Sequence, residues 1–444
     1  MALSDARGVP TSATDPKSLE ILESAIRQFQ IYRGDAVATI DRALADDPDF
    51  VAGHIFRTEM HMMLWERSVL PEVEAGLGRL RALADKATER ERAHIAAIAD
   101  WAAGDWQGMS VRLDRIVADE PRDVVALQCG HLSDFFQGDR DNLRGRVARA
   151  LPAWSEADPG YGILLGMTAF GLEECGDYGA AEEAGRQALA LEPDDCWAQH
   201  AVCHVLEMQA RQEEGIAFME DRRAHWAQDD NTFAFHNWWH VSLFNLDNDR
   251  YDRVLQIYDT VLQPEPSEVQ LEMLDAAALL WRLHLRGIDT GDRFGTLAAT
   301  YEALAAEHGF YAFNDMHAMM AYVATGRESA AASLEKTAVT EAEGTGTNAR
   351  MTREVGLPIV RAIRAFGTGR YGEAVDLLMP VRYRAWIFGG SHAQRDIVHR
   401  TLIEAAIRDG QQGLAQALAN ERVSLKPDCP FSRSLSERCG RVLN

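Results

Sequence analysis

The chain has 444 residues, of which 47% are hydrophobic and 25% charged, so it can bury an ample core. Its formal net charge of −23 argues against nucleic acid and anionic membranes as partners. No stretch of about 18 apolar residues occurs, so we expect no membrane span, and the six cysteines form no CxxC pair, which favours the cytoplasm.

The first segment, residues 1–16, has no apolar signal core and is predicted to be a flexible leader. Residues 17–444 are predicted to form a single domain of helical hairpins. A period of about 34 residues is clearest after Tyr161 and is that of a tetratricopeptide unit. Gly176 permits a left-handed turn after the first helix, and Pro193 ends the second.

The same spacing recurs roughly ten times along the chain. No run of alternating apolar and polar residues with turn signals predicts a strand. The sequence therefore predicts an all-α, tetratricopeptide-like solenoid. Such a superhelix can curl so that its last repeats close over a central pocket.

The unit that begins at Cys196 carries unusual residues on its first helix. In tetratricopeptide repeats a fixed set of first-helix positions faces the concave groove. Here these positions hold Trp197, His200, His204 and Glu207, where a scaffold would have ordinary surface residues. The next unit adds His236, Trp239 and His240 from the string HNWWH, and the unit after it can add Asp275 and Arg282.

Two later segments are richer in polar groups than packing requires. FNDMHAMM contains Asn314, Asp315 and His317, and GGSHAQRD contains Ser391, His392, Gln394, Arg395 and Asp396. Ser391 is predicted to cap a helix rather than act as a nucleophile, and Arg395 either clamps a ligand carboxylate or bridges repeats. If the last repeats curl back, this helix end covers the histidines.

The histidine pairs His200/His204 and His236/His240 have the i,i+4 spacing that can hold one divalent metal such as zinc. Three alternatives remain open: a metal site, a metal-free polar site, and histidines that only bond neighbouring helices. We name His200, His204, Glu207, His236, His240 and His392 as candidate catalytic residues. The candidate ligand-binding residues are Trp197, Trp239, Asp275, Arg282, Asn314, Asp315, His317, Ser391, Gln394, Arg395 and Asp396. If a metal is bound, its candidate ligands are His200, His204, His236 and His240. No phosphate-binding or dinucleotide motif occurs, so we expect no nucleotide cofactor.

The strings HAVCHVLEM, HNWWH, LLWRL, FNDMHAM and GGSHAQRD, in this order from about Tyr161 to about Arg400, resemble the tetratricopeptide repeat protein 38 family. The resemblance implies an all-helical repeat protein inside the cell. It implies no activity.

Two functions follow from the residues. The first is an enzyme whose pocket binds a small organic molecule and whose histidines and Glu207 do acid–base chemistry for hydrolysis or elimination, with or without a metal. The alternative is a scaffold that binds a peptide or protein in its groove. The groove has histidine, tryptophan and glutamate at its centre and few lysines, which favours the first. A homo-oligomer is compatible with either function.

Overall fold

A computed structural model describes residues 3–441, with only the backbone described at Arg441. The prediction of an all-α fold is confirmed, because the described residues contain helices and two isolated β-bridges but no strand. In chain order the α-helices are α1 (Pro16–Ile31), α2 (Ala36–Asp46), α3 (Val51–Met62), α4 (Leu70–Ala82), α5 (Glu89–Ala102), α6 (Trp106–Asp119), α7 (Val124–Phe136), α8 (Arg140–Ala150), α9 (Tyr161–Glu174), α10 (Tyr178–Leu191), α11 (Cys196–Met208), α12 (Gln212–Asp221), α13 (Arg223–Trp226), α14 (Ala234–Asp247), α15 (Tyr251–Ile257), α16 (Gln270–Leu285), α17 (Arg293–Ala303), α18 (Ala312–Ala324), α19 (Glu328–Ala342), α20 (Thr347–Met351), α21 (Leu357–Gly367), α22 (Tyr371–Leu378), α23 (His392–Arg408), α24 (Gln412–Leu425) and α25 (Pro430–Arg441).

Short turns of other helix types interrupt this series. Four are 3₁₀ turns, at Arg67–Val69, Leu151–Ala153, Ala305–Glu307 and Ala385–Phe388. Two are π-helical turns, at Tyr258–Leu262 and Thr352–Gly356. Across the described residues, no helix is both long and apolar enough to cross a membrane.

The helices pack as consecutive hairpins, as the repeat predicts. The two helices of a hairpin are in contact, as in α1 with α2, α5 with α6, and α9 with α10. Second helices such as α2 and α6 also contact the first helix of the next hairpin, which is α3 or α7. Small residues make the close approach possible, since Ala181 and Ala188 on α10 are fully buried. All six cysteines are free thiols.

The turn between the two helices of a hairpin requires a left-handed backbone. Gly176 has this conformation between α9 and α10, with φ of 84°. The corresponding residues in two later hairpins are Ala210, before α12, and Asp249, before α15, each with φ of 58°. A side chain with a Cβ is strained there, so these two turns are less favourable than the glycine turns.

The contacts divide the chain into two compact units, and the prediction of one domain over residues 17–444 stays a prediction. The N-terminal unit comprises Met1–Val202 and Ala224–Ala234. The C-terminal unit comprises Cys203–Arg223 and Phe235–Asn444. Helix α11 begins in the first unit and ends in the second.

The segment predicted to be a flexible leader makes specific contacts in the N-terminal unit. The buried guanidinium of Arg7 donates to both carboxylate oxygens of Glu23, at 2.9 and 2.8 Å. Ser12 donates from its backbone N–H and its hydroxyl to Glu91 Oε1, at 3.0 and 3.1 Å. These contacts hold residues before α1 against α1 and α5.

In the C-terminal unit, the last helices pack on the earlier ones. Trp281 Nε1 on α16 donates to Thr401 Oγ1 on α23 at 3.0 Å. Arg400 on α23 donates to Asp247 at the end of α14, at 3.2 Å. Lys426, directly after α24, lies 3.6 Å from Glu207 on α11. Residues of the last helices therefore contact α11, α14 and α16 within this unit.

Candidate functional site

Three buried histidines meet in the C-terminal unit. His204 lies on α11, and His236 and His240 lie one turn apart on α14; their exposed fractions are 0%, 7% and 0%. The ring centroids of His204 and His240 are 4.4 Å apart, and those of His236 and His240 are 4.9 Å apart. Each ring offers a nitrogen within 4.8 Å of the others. We call these three residues the histidine centre.

Carboxylates from two other positions orient two of these rings. His236 Nδ1 lies 2.6 Å from Asp275 Oδ2 on α16, and His240 Nδ1 lies 3.2 Å from Glu207 Oε2 on α11. In a neutral imidazole, a proton on Nδ1 that points at a carboxylate leaves the lone pair on Nε2. Metal-binding histidines in proteins commonly have this carboxylate behind the ring.

Burial and neighbouring cations act on one ring of the centre, that of His240. Burial lowers the pKa of His240 well below its usual value, and His204, His236, Arg282 and Lys426 lower it further. Glu207, which faces His240, also faces the ammonium of Lys426. His240 is therefore a neutral nitrogen base at physiological pH.

Trp239 and Arg282, both predicted to bind a ligand, lie beside the centre. Trp239 is fully buried and stacks on His236, with centroids 5.4 Å apart and planes at 14°. The Arg282 guanidinium lies 5.2 Å from the centre of the Trp239 ring. Arg282 donates to the carbonyls of Ala278 at 3.0 Å and Ala393 at 2.7 Å. Burial lowers the pKa of Arg282 to about 10.

His200 and Trp197 lie on the first half of α11, which belongs to the N-terminal unit, one to two turns before His204. There the His200 ring packs against aromatic rings, with centroid distances of 5.1 Å to Phe170 and 5.2 Å to Phe233. Trp197 Nε1 donates to His131 Nε2 at 3.2 Å. Aromatic packing and a hydrogen bond to a neighbouring helix thus account for much of the environment of these two residues.

The GGSHAQRD string mainly builds a helix start. Ser391 and Gln394 form a reciprocal capping box at α23, so the prediction of an N-cap is confirmed. Arg395 donates to the carbonyl of Gly390, and His392 is half-buried in the first turn. Asp396 pairs with Arg400 at 2.6 Å and with Arg422. The contacts of Ser391, Gln394 and Asp396 therefore stabilise the start of α23, and their role in ligand binding stays a prediction.

The FNDMHAMM string has a similar outcome. Asp315 accepts hydrogen bonds from the backbone N–H of Gly309 at 3.0 and 3.2 Å. His317 Nδ1 donates to the carbonyl of Phe313 at 2.8 Å, and burial lowers the pKa of His317 to about 3. Asn314 is half-buried at the start of α18. Asp315 and His317 therefore form hydrogen bonds with backbone groups close to them in the chain.

Sequence reasoning missed Lys426 and the use of Asp275 as a histidine partner. Lys426 is separated from Glu207 by most of the C-terminal unit, and a lone lysine after a helix carries no motif. Asp275, which the sequence predicts to bind a ligand, accepts a hydrogen bond from His236, and its contact with a ligand stays a prediction. The His-to-carboxylate pairing depends on helix packing that spacing alone does not reveal.

The N-terminal unit contains a second buried polar cluster of different design, which we call the His94 cluster: His94, Glu59, Asp123 and Arg90. His94 Nδ1 lies 2.8 Å from Glu59 Oε1, and His94 Nε2 lies 2.9 Å from Asp123 Oδ2. Arg90 also pairs with Asp123. Burial lowers the pKa of His94, but the two carboxylates outweigh burial and raise it to about 10.

No protein-family model matches the chain. Solved structures with similar folds include human IFIT1 dimer with m7Gppp-AAAA, at 12% identity over 97% of this chain and 96% of that chain, with a TM-score of 0.44. Yeast Tom70 matches at 12% identity over 96% and 86%, with a TM-score of 0.38. Cut9 of the APC/C hetero-tetramer Cut9–Hcn1 matches at 11% identity over 96% and 97%, with a TM-score of 0.32. These likenesses are distant, and the tetratricopeptide-like, helical-repeat fold of the chain is established by its own helical hairpins.

Proposed function

We propose that this helical-repeat protein binds a divalent transition metal, of which zinc is the best fit, at His204, His236 and His240. The observation that supports it is the combination of three buried imidazoles, with ring nitrogens within 4.8 Å, and carboxylates behind two of them. Imidazole nitrogen is a preferred ligand of zinc, and a carboxylate behind the ring fixes its tautomer.

The use of the metal that we propose is hydrolytic or lyase-like chemistry on a small organic molecule. Three protein ligands leave a coordination position open, which is typical of catalytic rather than structural zinc sites. A metal at such a position supplies a bound water of lowered pKa. Glu207 and Asp275 would orient His240 and His236, and are therefore positioning residues in this proposal.

The test is metal content, measured by elemental mass spectrometry on protein purified without chelator or histidine tag. We expect near-stoichiometric zinc in the wild type and its loss in His236→Ala and in His240→Ala. His225→Ala is the matched control, because His225 lies in the N-terminal unit with 42% of its side chain exposed and pairs with Asp194.

The apo protein should also take up Co²⁺ and show the visible absorption of a low-symmetry cobalt site. Wild-type protein with neither zinc nor a cobalt spectrum would refute the proposal. Zinc that survives both histidine substitutions would refute this location for it.

The second candidate function is a non-enzymatic scaffold that binds a peptide or protein, as the helical-repeat fold itself favours. The solvent-facing aromatics Tyr383 and Trp386, 59% and 47% exposed, suit such a contact. Under this alternative a metal would be structural, and its removal would lower the melting temperature without affecting turnover of any substrate. Membership of the tetratricopeptide repeat protein 38 family remains a proposal based on the sequence strings, and the exclusion of nucleic acid rests on the net charge of −23.

A further inference from the structure

One buried cation beside the histidine centre has no direct ion-pair partner, although Asp396, Glu207 and Asp247 act on it from a greater distance. Arg282 on α16 is 1% exposed, and its two hydrogen bonds go to backbone carbonyls. No carboxylate of the described residues lies within ion-pair distance of its guanidinium, and its Nε–H has no acceptor there. A guanidinium has five N–H donors and cannot lose its charge readily, so this arrangement is costly.

Other buried arginines of the chain are paired. Arg286, one turn further along from Arg282, lies 2.8 Å from Asp247. Arg400 lies 2.6 Å from Asp396 and 3.2 Å from Asp247. In the N-terminal unit, Arg146 is fully buried and lies 2.8 Å from Asp134. Arg282, which adjoins the histidine centre, differs from these arginines because no carboxylate of the described residues lies within ion-pair distance of it.

A second donor without a partner lies next to Arg282. Trp239 Nε1 is buried and has no acceptor among the described residues. The guanidinium lies 5.2 Å from the centre of the Trp239 ring, and the His236 ring lies 5.4 Å from the same centre. Two buried donors without an acceptor, on the arginine and on the indole, therefore lie beside the His236 ring.

We propose that Arg282 and the indole N–H of Trp239 form a carboxylate subsite, so that the ligand is a small organic acid whose other end reaches the histidine centre. A monoanion fits better than a phosphate, because a single guanidinium balances one negative charge while Glu207 and Asp275 already place two carboxylates nearby. This inference names the substrate class of the proposed metal site, and its second half rests on that proposal.

The experiment uses cobalt-loaded protein and two hydroxamates of similar length. Butyrohydroxamate can bind the metal only, whereas the monohydroxamate of succinic acid also carries a carboxylate. Monitored by visible absorption, the succinic compound should bind wild type about ten-fold more tightly or better. In Arg282→Met this preference should disappear while butyrohydroxamate binds as before. Equal affinities in wild type, or a preference that survives in Arg282→Met, would overturn the subsite.

Two controls separate folding and metal loss from the subsite itself. Arg361→Met removes a partly exposed guanidinium that pairs with Glu335, and should keep the full preference. Arg282→Lys retains the charge if Arg282→Met does not fold, and should reduce the preference because an ammonium lacks the planar fork.

If the protein takes up no cobalt, the proposed function fails and the subsite is still tested. Succinate should then raise the melting temperature of metal-free wild type above that in sodium chloride of equal ionic strength, and should raise that of Arg282→Lys by less. No shift in wild type, or equal shifts in both, would overturn the subsite.

Discussion

The two units each bury histidines with carboxylates, and the designs are opposite. In the His94 cluster both ring nitrogens of one imidazole face carboxylates, at 2.8 and 2.9 Å, and its pKa is raised to about 10. In the histidine centre, His236 and His240 each direct Nδ1 to one carboxylate, and the pKa of His240 is well below its usual value. The first arrangement is a permanent ion pair within the fold. In the second, His240 is a neutral nitrogen base beside two further buried imidazoles.

The number of counter-charges accounts for the difference. An imidazole with two carboxylates gains a proton because the protonated form satisfies both. His240 has one carboxylate, Glu207, and its neighbours Lys426 and Arg282 are cations, so together with burial they lower its pKa. The charges that face each ring, rather than the presence of histidine, therefore distinguish His94 from His240.

The largest expected effect contrasts the two buried arginines. Arg146→Met should destabilise the protein by about 3–5 kcal/mol, because it leaves Asp134, itself fully buried, without its cation. Arg282→Met should change the stability of the metal-free protein by only about 1 kcal/mol, since no carboxylate loses a partner. Urea denaturation of both variants measures the difference. Equal losses of stability in the two variants would show that Arg282 contributes as much to the fold as the paired Arg146.

The His94 cluster should also make stability depend on alkaline pH. The folded pKa of His94 is raised to about 10, so its stabilisation is complete below about pH 6.5 and is lost as the pH rises towards 10. Between pH 7 and 9 the free energy of unfolding should fall with pH more steeply in wild type than in His94→Gln. The difference between the two slopes should be about 1 kcal/mol per pH unit.

The matched control for this titration is His225→Gln, which should retain the wild-type slope because His225 is partly exposed. If His94→Gln and wild type have the same slope, His94 is not a buried imidazolium.

The smallest effect concerns the same turn position in the two units. Ala210→Gly, before α12, should stabilise the protein by about 0.5–1 kcal/mol, because it removes a Cβ from a left-handed residue. Gly176→Ala, before α10, should destabilise by a similar amount, although no atom lies within 4 Å of the added Cβ. Thermal unfolding of the two variants tests this, and shifts of the same sign would contradict it.

The sequence by itself determined the repeat and the residues at its centre. Glycine turns, small residues on second helices and terminal prolines each act through local backbone conformation or close packing, so their spacing predicted an all-α hairpin fold. The i,i+4 spacing also determined that His236 and His240 share a face of α14, because helix geometry is local.

Only the tertiary structure decided which polar residues form a site. Asp275 reaches His236, Lys426 reaches Glu207, and Arg282 lies buried without a carboxylate, through contacts between helices far apart in the chain. Asp315, Ser391 and Gln394 looked equally promising, yet they bond local backbone groups. Burial and counter-charge depend on long-range packing, and they decide whether a histidine or an arginine holds the fold together or holds a ligand.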